Sequence, residues 1–338
     1  MSLLRSAALK VPAIRRLFDH RERLLVELEA AEQVLVARDA KLAKAEARLA
    51  ATSANMITSA DEAMRRATLE NRVFITDYPY FPKSRPIEAS AGGQQLDSLF
   101  RANERSIAET IASIARHTGM LSQIPRDAAG PLTPFWANSW FPPFDGAALY
   151  GLIAEVRPPR FVEVGSGIST RFARQAVKDL GLATRIISID PHPHNSTEGL
   201  CDETIVARME DMPADFWSSL APDDMVFIDN SHRSFPGSDV TVFFSEAMPA
   251  LPPGVVFGIH DIFLPYDYPA EWNDRFYSEQ YLLMTYLLGG GGKDEILLPL
   301  YWAGRQPELH GILAPLWQFP RLFDGVMTHG GAFWARRG

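Results

Sequence analysis

The spacing of apolar positions divides the chain into a long stretch of helical period and a longer stretch of short apolar runs. From 13 to 72 there is no Pro and no Gly, and Ala, Leu, Glu and Arg dominate. Leu24, Leu28, Ala31, Leu35, Arg38, Leu42, Ala45 and Leu49 follow one another at alternating steps of four and three. That alternation is the seam of a coiled coil, and the other faces carry mixed charge as a solvated surface does. The stripe is narrow, which favours self-association over one long helix packed on its own domain. Ahead of it, Arg5, Lys10, Arg15 and Arg16 alternate with Leu3, Leu4, Leu9, Ile14 and Leu17. A basic amphipathic segment of this kind can touch an anionic membrane surface, but an ordinary helix end explains it with fewer assumptions.

The character changes after 72. Tyr78, Pro79, Tyr80, Phe81, Pro82 and Pro86, followed by Gly92-Gly93, read as an irregular linker. Helical spacing returns from Leu96 to Leu121, a loop rich in Pro and aromatics runs from Pro125 to Pro143, and Phe144 to Val156 reads as a helix. Phe135, Trp136, Trp140 and Phe141 in that loop either cover the core or wall a ligand site. The chain thus divides into a helical arm (1–72), a linker with a helical lid (73–137) and a domain (138–338).

Within 138–338 the pattern is strand, turn, helix, repeated. Phe161, Val162 and Val164 form a short apolar run, as a buried parallel strand should. It stops at Gly165-Ser166-Gly167, and Ser169 and Thr170 then open an amphipathic helix. Further strands read at 185–190, 203–207, 225–229, 255–261, 295–301 and 332–336. Helices read at 212–220, 239–251 and 279–288. Alternation of this kind predicts a Rossmann-like α/β sheet with right-handed crossovers, in which ligands sit beyond the carboxyl ends of the strands.

Composition narrows the classes. Net charge is −8 and the pI about 5.5, without the basic face of a nucleic-acid binder. The one cysteine, Cys201, rules out an intrachain disulfide, which suits a cytoplasmic enzyme. No run of about twenty apolar residues is present to span a membrane, and no leader-like apolar core opens the sequence.

Polar residues collect at the predicted strand ends: Glu163, Asp190, Asp229, His232, His260 and Asp261. Gly165 and Gly167 leave room for a ligand against the backbone, and Asp190 stands where an acid takes a ribose diol. Asp211, beside Glu210, falls near an adenine amino group in this arrangement, or simply opens the next helix. A dinucleotide fingerprint needs a third glycine, and Thr170 stands there instead. S-adenosylmethionine has no pyrophosphate to cradle, so GSG suffices for it. Its cofactor set is Glu163, Gly165, Ser166, Gly167, Ser169, Asp190 and Asp211. His232, three residues past Asp229, is the natural general base at a strand rim. Asp229, His260 and Asp261 could alternatively hold a divalent metal. His192 and His194 look like a metal pair but have no third ligand nearby, which makes a solvated turn the simpler reading.

These residues carry a family resemblance. FVEVGSGIST resembles the first motif of class I S-adenosylmethionine-dependent methyltransferases, and Asp190 matches the acid of their second strand. MVFIDNSH, PGSDV, GIHDIFLPYDYPAEW, SEQYLL and GGAFWAR resemble a bacterial branch met among polysaccharide and secondary-metabolite biosynthesis proteins. The resemblance covers roughly 138–338 and leaves the arm outside. It implies a seven-stranded sheet in the order 3-2-1-4-5-7-6 with the last strand antiparallel. It also implies an O-methyltransferase acting on a hydroxyl of a sugar, polysaccharide or glycosylated metabolite. The metal-dependent sugar enzymes of this kind carry Asp-x-x-His after strand 4 and two adjacent acids after strand 5. Asp229, His232 and Asp261 match that pattern. His260 stands where an acid is expected, which weakens magnesium, suits manganese, iron or zinc better, and leaves a metal-free site with His260 as a second acid–base group open. The other readings are an NAD-dependent oxidoreductase, opposed by the missing glycine, and a non-catalytic coiled-coil scaffold, opposed by the intact rim.

Overall fold

The computed structural model describes residues 12–69, 78–193, 199–291 and 293–338. Cα packing separates two compact units, one ending at Tyr80 and the other Phe81–Gly338. His194 and most of the basic N-terminal segment lie outside the described residues.

Among its described residues the first unit has one helix, α1 (Pro12–Leu69), 58 residues long. At 1.5 Å per residue it extends about 87 Å. Proline at its start costs nothing, because the first backbone N–H groups of a helix have no partner within it. Leu24, Leu28, Leu35 and Leu42 are each half exposed or more. The side chain of Leu49 lies outside the description.

In the second unit, seven strands form one sheet: β1 (Arg160–Val164), β2 (Arg185–Ile189), β3 (Glu203–Ile205), β4 (Met225–Ile228), β5 (Val256–Ile259), β6 (Glu295–Pro299) and β7 (Phe333–Arg336). Their order is β3-β2-β1-β4-β5-β7-β6. The first five pair in parallel, and β7 runs antiparallel between β5 and β6. This is the topology that the family resemblance implied. β4 and β5 are buried throughout, as strands covered on both faces must be.

The helices around it are α2 (Ala91–Ala102), α3 (Glu104–Ala115), α4 (Pro143–Val156), α5 (Ile168–Asp179) and α6 (Glu279–Leu288). Helix α4 is buried almost along its whole length. It reaches its neighbours through glycines: a Cβ on Gly146 would stand 2.7 Å from the Phe172 ring of α5, and one on Gly151 would stand 2.6 Å from Ile114 of α3. Arg157, at φ 52°, ends the helix and turns the chain into β1.

Three expectations need correction. Gly92-Gly93 belong to the first turn of α2, capped by the Ser90 hydroxyl, which accepts from the Gly93 N–H at 3.1 Å. Gly93 is glycine because a Cβ there would meet the Ile87 carbonyl oxygen at 2.1 Å. The sixth strand stops at Pro299, where φ −84° and ψ 86° start the helical turn Leu300–Ala303. The helix after β4 is interrupted, with a π-helical stretch, Phe243–Ala247, between Asp239–Val242 and Met248–Ala250.

Asp224, fully buried just before β4, fastens the starts of the two central strands. It accepts from the Arg160 N–H at 2.9 Å, from Arg160 Nε at 2.9 Å and from the Ala221 N–H at 2.7 Å. Asp224→Ala leaves two part-buried backbone donors without their acceptor and the Arg160 guanidinium with only the Ser219 carbonyl oxygen. Arg160 keeps 30% of its side chain in solvent, which softens the loss. The expected cost is about 2–3 kcal/mol in urea unfolding, at the low end for breaking a buried pair.

Candidate active site

At the end of β1 the chain turns through Gly165 at φ 81°. A Cβ there would lie 2.1 Å from the Asp229 carbonyl oxygen, so this turn requires glycine on two counts. Gly167 has open space where a side chain would be. Asp190 faces the turn from the end of β2. Its Oδ2 accepts from the Ser166 N–H at 3.0 Å and from the Ser166 hydroxyl at 2.9 Å, and its Oδ1 accepts from the His192 N–H at 2.8 Å. Below it, Ser169 and Thr170 are buried in the first turn of α5. Thr170 donates to Glu163 Oε2 and accepts from the Gly167 N–H at 2.9 Å. Glu163 is fully buried, and its Oε1 has no hydrogen-bond partner. Burial, helped by the charges of Asp229 and Asp190, pushes the Glu163 carboxyl up to about 8.

Asp211 does not join this group. It is held by Arg208, whose Nε and terminal nitrogen donate to it at 2.8 and 2.9 Å on the protein surface. The same guanidinium lies 3.7 Å from Glu210. The acids expected near an adenine thus form a local surface ion-pair group.

Past β4 and β5, the remaining rim residues converge. His232 Nδ1 donates to Glu279 Oε2 at 2.9 Å, and its Nε2 lies 3.4 Å from Asp229 Oδ1 and 3.5 Å from Asp261 Oδ2. His260 Nδ1 lies 3.3 Å from Asp229 Oδ1 and 3.7 Å from Asp261 Oδ1, while its Nε2 faces Asp145 Oδ2 at 3.5 Å. His232 and Asp261 both take left-handed backbone, at φ 59° and 55°, which turns their side chains toward each other. The His232 ring packs on Tyr277 at 4.7 Å, and the His260 ring lies between Phe141 and Phe227 at 5.2 and 6.0 Å. Burial opposes charge on both imidazoles. The surrounding carboxylates outweigh it and raise both well above the usual histidine range. For Asp229, burial is outweighed in the other direction by the two imidazoles, and its carboxyl falls below the usual range. Burial dominates at Asp261 and Glu279 and pushes both up.

Sequence reading missed two members of this cluster. Asp145 is fully buried near the start of α4 and accepts from the Gly331 N–H at 2.8 Å and the Ala332 N–H at 2.9 Å, tying α4 to the approach of β7. Its signal was a carboxylate within the apolar run that opens the helix. Glu279 opens α6 within SEQYLL, where an acid in a first helical turn looked ordinary.

Asp229, His260 and Asp261 do not fit a metal. No group of three His, Cys, Asp or Glu among the described residues has the arrangement of a metal site. His260 Nδ1 lies 3.3 Å from Asp229 Oδ1, and its Nε2 stands 3.5 Å from Asp145 Oδ2 without a hydrogen bond.

A cleft of about 650 Å³ opens beside the cluster. His260 and Asp261 line it together with Trp140, Phe263, Trp272, Met327 and His329. Trp140 is 75% exposed. Trp136 and Phe141 are buried in the core, so the aromatic loop divides between core and cleft wall. Tyr268 is likewise buried, and Trp272 carries the Arg275 guanidinium 4.1 Å from its ring centre. His232 is not among the lining residues; its Nε2 lies 3.5 Å from Oδ2 of Asp261, which is.

Residues 162–262 match the family model described as a methyltransferase domain. The matched stretch contains most of β1, all of β2, β4 and β5, and the turns at their carboxyl ends. No curated protein matches the sequence. Solved structures are similar in part. The S-adenosylhomocysteine-bound methyltransferase PaMTH1 of Podospora anserina is 14% identical, with 57% of this chain and 77% of that one covered at a TM-score of 0.35. MycE of the mycinamycin biosynthetic pathway, solved with Mg, S-adenosylhomocysteine and mycinamycin VI, is 18% identical over 55% of this chain and 47% of its own, at 0.32. The plantazolicin methyltransferase BpumL, with S-adenosylhomocysteine, is 10% identical over 75% and 92%, at 0.34.

Glu163 gives the crevice a distinctive pH dependence. Its carboxyl is protonated in the folded state up to about 8, against an ordinary value of 4.5. The folded chain therefore holds a proton that the unfolded chain has released, and stability falls as pH rises through that window. Glu163→Gln should remove the penalty, stabilising the protein little at pH 4.5 and by on the order of 3 kcal/mol at pH 8. Urea unfolding of both proteins at the two pH values checks this, and a gap that does not widen with pH refutes it.

Proposed function

We propose that this chain is an S-adenosylmethionine-dependent O-methyltransferase that acts on a hydroxyl of a sugar, polysaccharide or glycosylated metabolite. The observation that carries the reading is the character of the glycine turn. Its walls carry two carboxyl groups, Asp190 tied to Ser166 and a buried Glu163 with an unpartnered oxygen beneath. A pyrophosphate would meet Asp190 and would hold Glu163 in its protonated form, whereas a cationic sulfonium or ammonium would favour the ionised form of Glu163. The methyltransferase domain match falls on the same residues.

In this reading Gly165 and Gly167 leave room for the cofactor, Asp190 takes its ribose hydroxyls, and Glu163 faces its cationic end. The bound cofactor supplies an activated methyl group. The acceptor occupies the cleft, where the flat faces of Trp140 and Trp272 suit the aliphatic faces of a sugar ring. The remaining task is to hold the hydroxyl in line and remove its proton. A hydroxyl in the cleft meets Asp261 and His260 first, with His232 reached through Asp261. The proton acceptor is an imidazole of this cluster in its neutral form. Because both imidazoles are held well above the usual range, the neutral form grows only as pH rises past that range. The rate should therefore climb on the alkaline side of the ordinary histidine titration.

Titration calorimetry should show S-adenosylmethionine and S-adenosylhomocysteine binding and no NAD binding. Asp190→Ala should weaken the cofactor by about 1–3 kcal/mol through lost charge-assisted hydrogen bonds. NAD binding without methionine-cofactor binding refutes the assignment. With a labelled methyl group and a panel of saccharide acceptors, His232→Ala should lower turnover by about 10²–10⁴-fold while cofactor affinity holds. Turnover near wild type removes His232 from the mechanism and leaves His260 in its place.

A further inference from the structure

The candidate site uses nothing from α1. That helix is 58 residues long, and its seam leucines Leu24, Leu28, Leu35 and Leu42 are 50%, 56%, 50% and 56% exposed. Helical stability in water comes mainly from packing an apolar face, since propensity alone leaves even favourable sequences marginal. A seam of this length needs an occupant, and the charges beside it say which.

We infer that α1 pairs with α1 of a second copy of this chain as a parallel, in-register, two-stranded coiled coil over residues 24–49. The steps of four and three place Leu28, Leu35, Leu42 and Leu49 at a, and Leu24, Ala31, Arg38 and Ala45 at d. The e positions are then Leu25, Glu32, Asp39 and Glu46, and the g positions Glu27, Val34, Lys41 and Arg48. In a parallel pair each g residue faces the e residue five places on in the other helix. Lys41 therefore meets Glu46 of the second copy, once on each side. A d side chain lies beside the e residue that follows it on the other strand, so Arg38 reaches Asp39 of the second copy and the one charged core layer is neutralised twice over. An antiparallel pair would instead set the acidic e rows against each other. The single mismatch in the parallel frame is Glu27 against Glu32. The alanines at d let the backbones approach.

The full-length protein should sediment as two copies. Leu35→Glu with Leu42→Glu should yield a monomer, its thermal unfolding showing that the sheet-bearing unit still folds. Lys41→Glu should weaken the dimer about tenfold or more, and adding Glu46→Lys should restore it, because the pair is exchanged rather than lost. Leu35→Cys in a Cys201→Ser background should form a covalent dimer on mild oxidation, since residue 35 meets itself only in a parallel, in-register pair. A monomeric or trimeric wild type, or a dimer indifferent to the two glutamates, overturns the pairing. A dimer in which Leu35→Cys does not cross-link, or in which Glu46→Lys fails to rescue Lys41→Glu, overturns its direction or register.

Discussion

Two imidazoles and four carboxylates share one largely buried cluster at the ends of β4 and β5, and the need to balance their charges governs what surrounds them. Asp145, Asp229, Asp261 and Glu279 each stand within 3.7 Å of His232 or His260. An isolated charge could not remain in such a place; it would change its protonation state or draw in water. Together they hold one another, and each carboxylate comes from a different element. Asp145 brings α4, Glu279 brings α6, and Asp229 and Asp261 bring β4 and β5. The cluster is a junction of secondary structure as much as a chemical site. The left-handed backbone at His232 and Asp261 fits this view, because strain on the order of 1 kcal/mol per residue persists only where the surroundings overdetermine it.

The sheet was largely legible because its signals are local. Short apolar runs ending in polar residues marked all seven strands within a few residues of their bounds. The antiparallel β7 and the strand order came from the motifs' resemblance, since periodicity says nothing about order. The misreadings have physical causes. Gly92-Gly93 looked like a turn, yet the glycine there serves a close approach to Ile87, which only the folded chain reveals. Pro299 sits at the end of a strand whose apolar run continues, and pattern alone could not see the helical turn that follows.

The site was legible by half. Residues at strand ends announced themselves, because strand ends are where parallel sheets place their chemistry. Asp145 and Glu279 lie on helices, more than 80 residues before His260 and more than 40 after His232 in sequence. Their role depends on which helix meets which strand, a long-range fact with no local spacing to betray it. Asp211 is the opposite case: its position in the chain suits a ligand, and in the structure it pairs with Arg208 three residues earlier.

The tight passage at Gly165 separates the part of the molecule that can change from the part that cannot. The glycine lies against the Asp229 carbonyl oxygen, the Gly165 N–H donates to Ile189 and the Asp229 N–H donates to Val164, so the turn, the second strand and the acid cluster form one interlocked block. The cleft walls are built otherwise. Trp140, Val326, Met327 and His329 come from connecting segments, and Trp140 and Met327 are mostly exposed. Substitutions there remodel the shape offered to an acceptor without reaching the block. A lineage of such proteins could exchange acceptors freely while its cofactor end stayed frozen, with diversification confined to one side of the crevice.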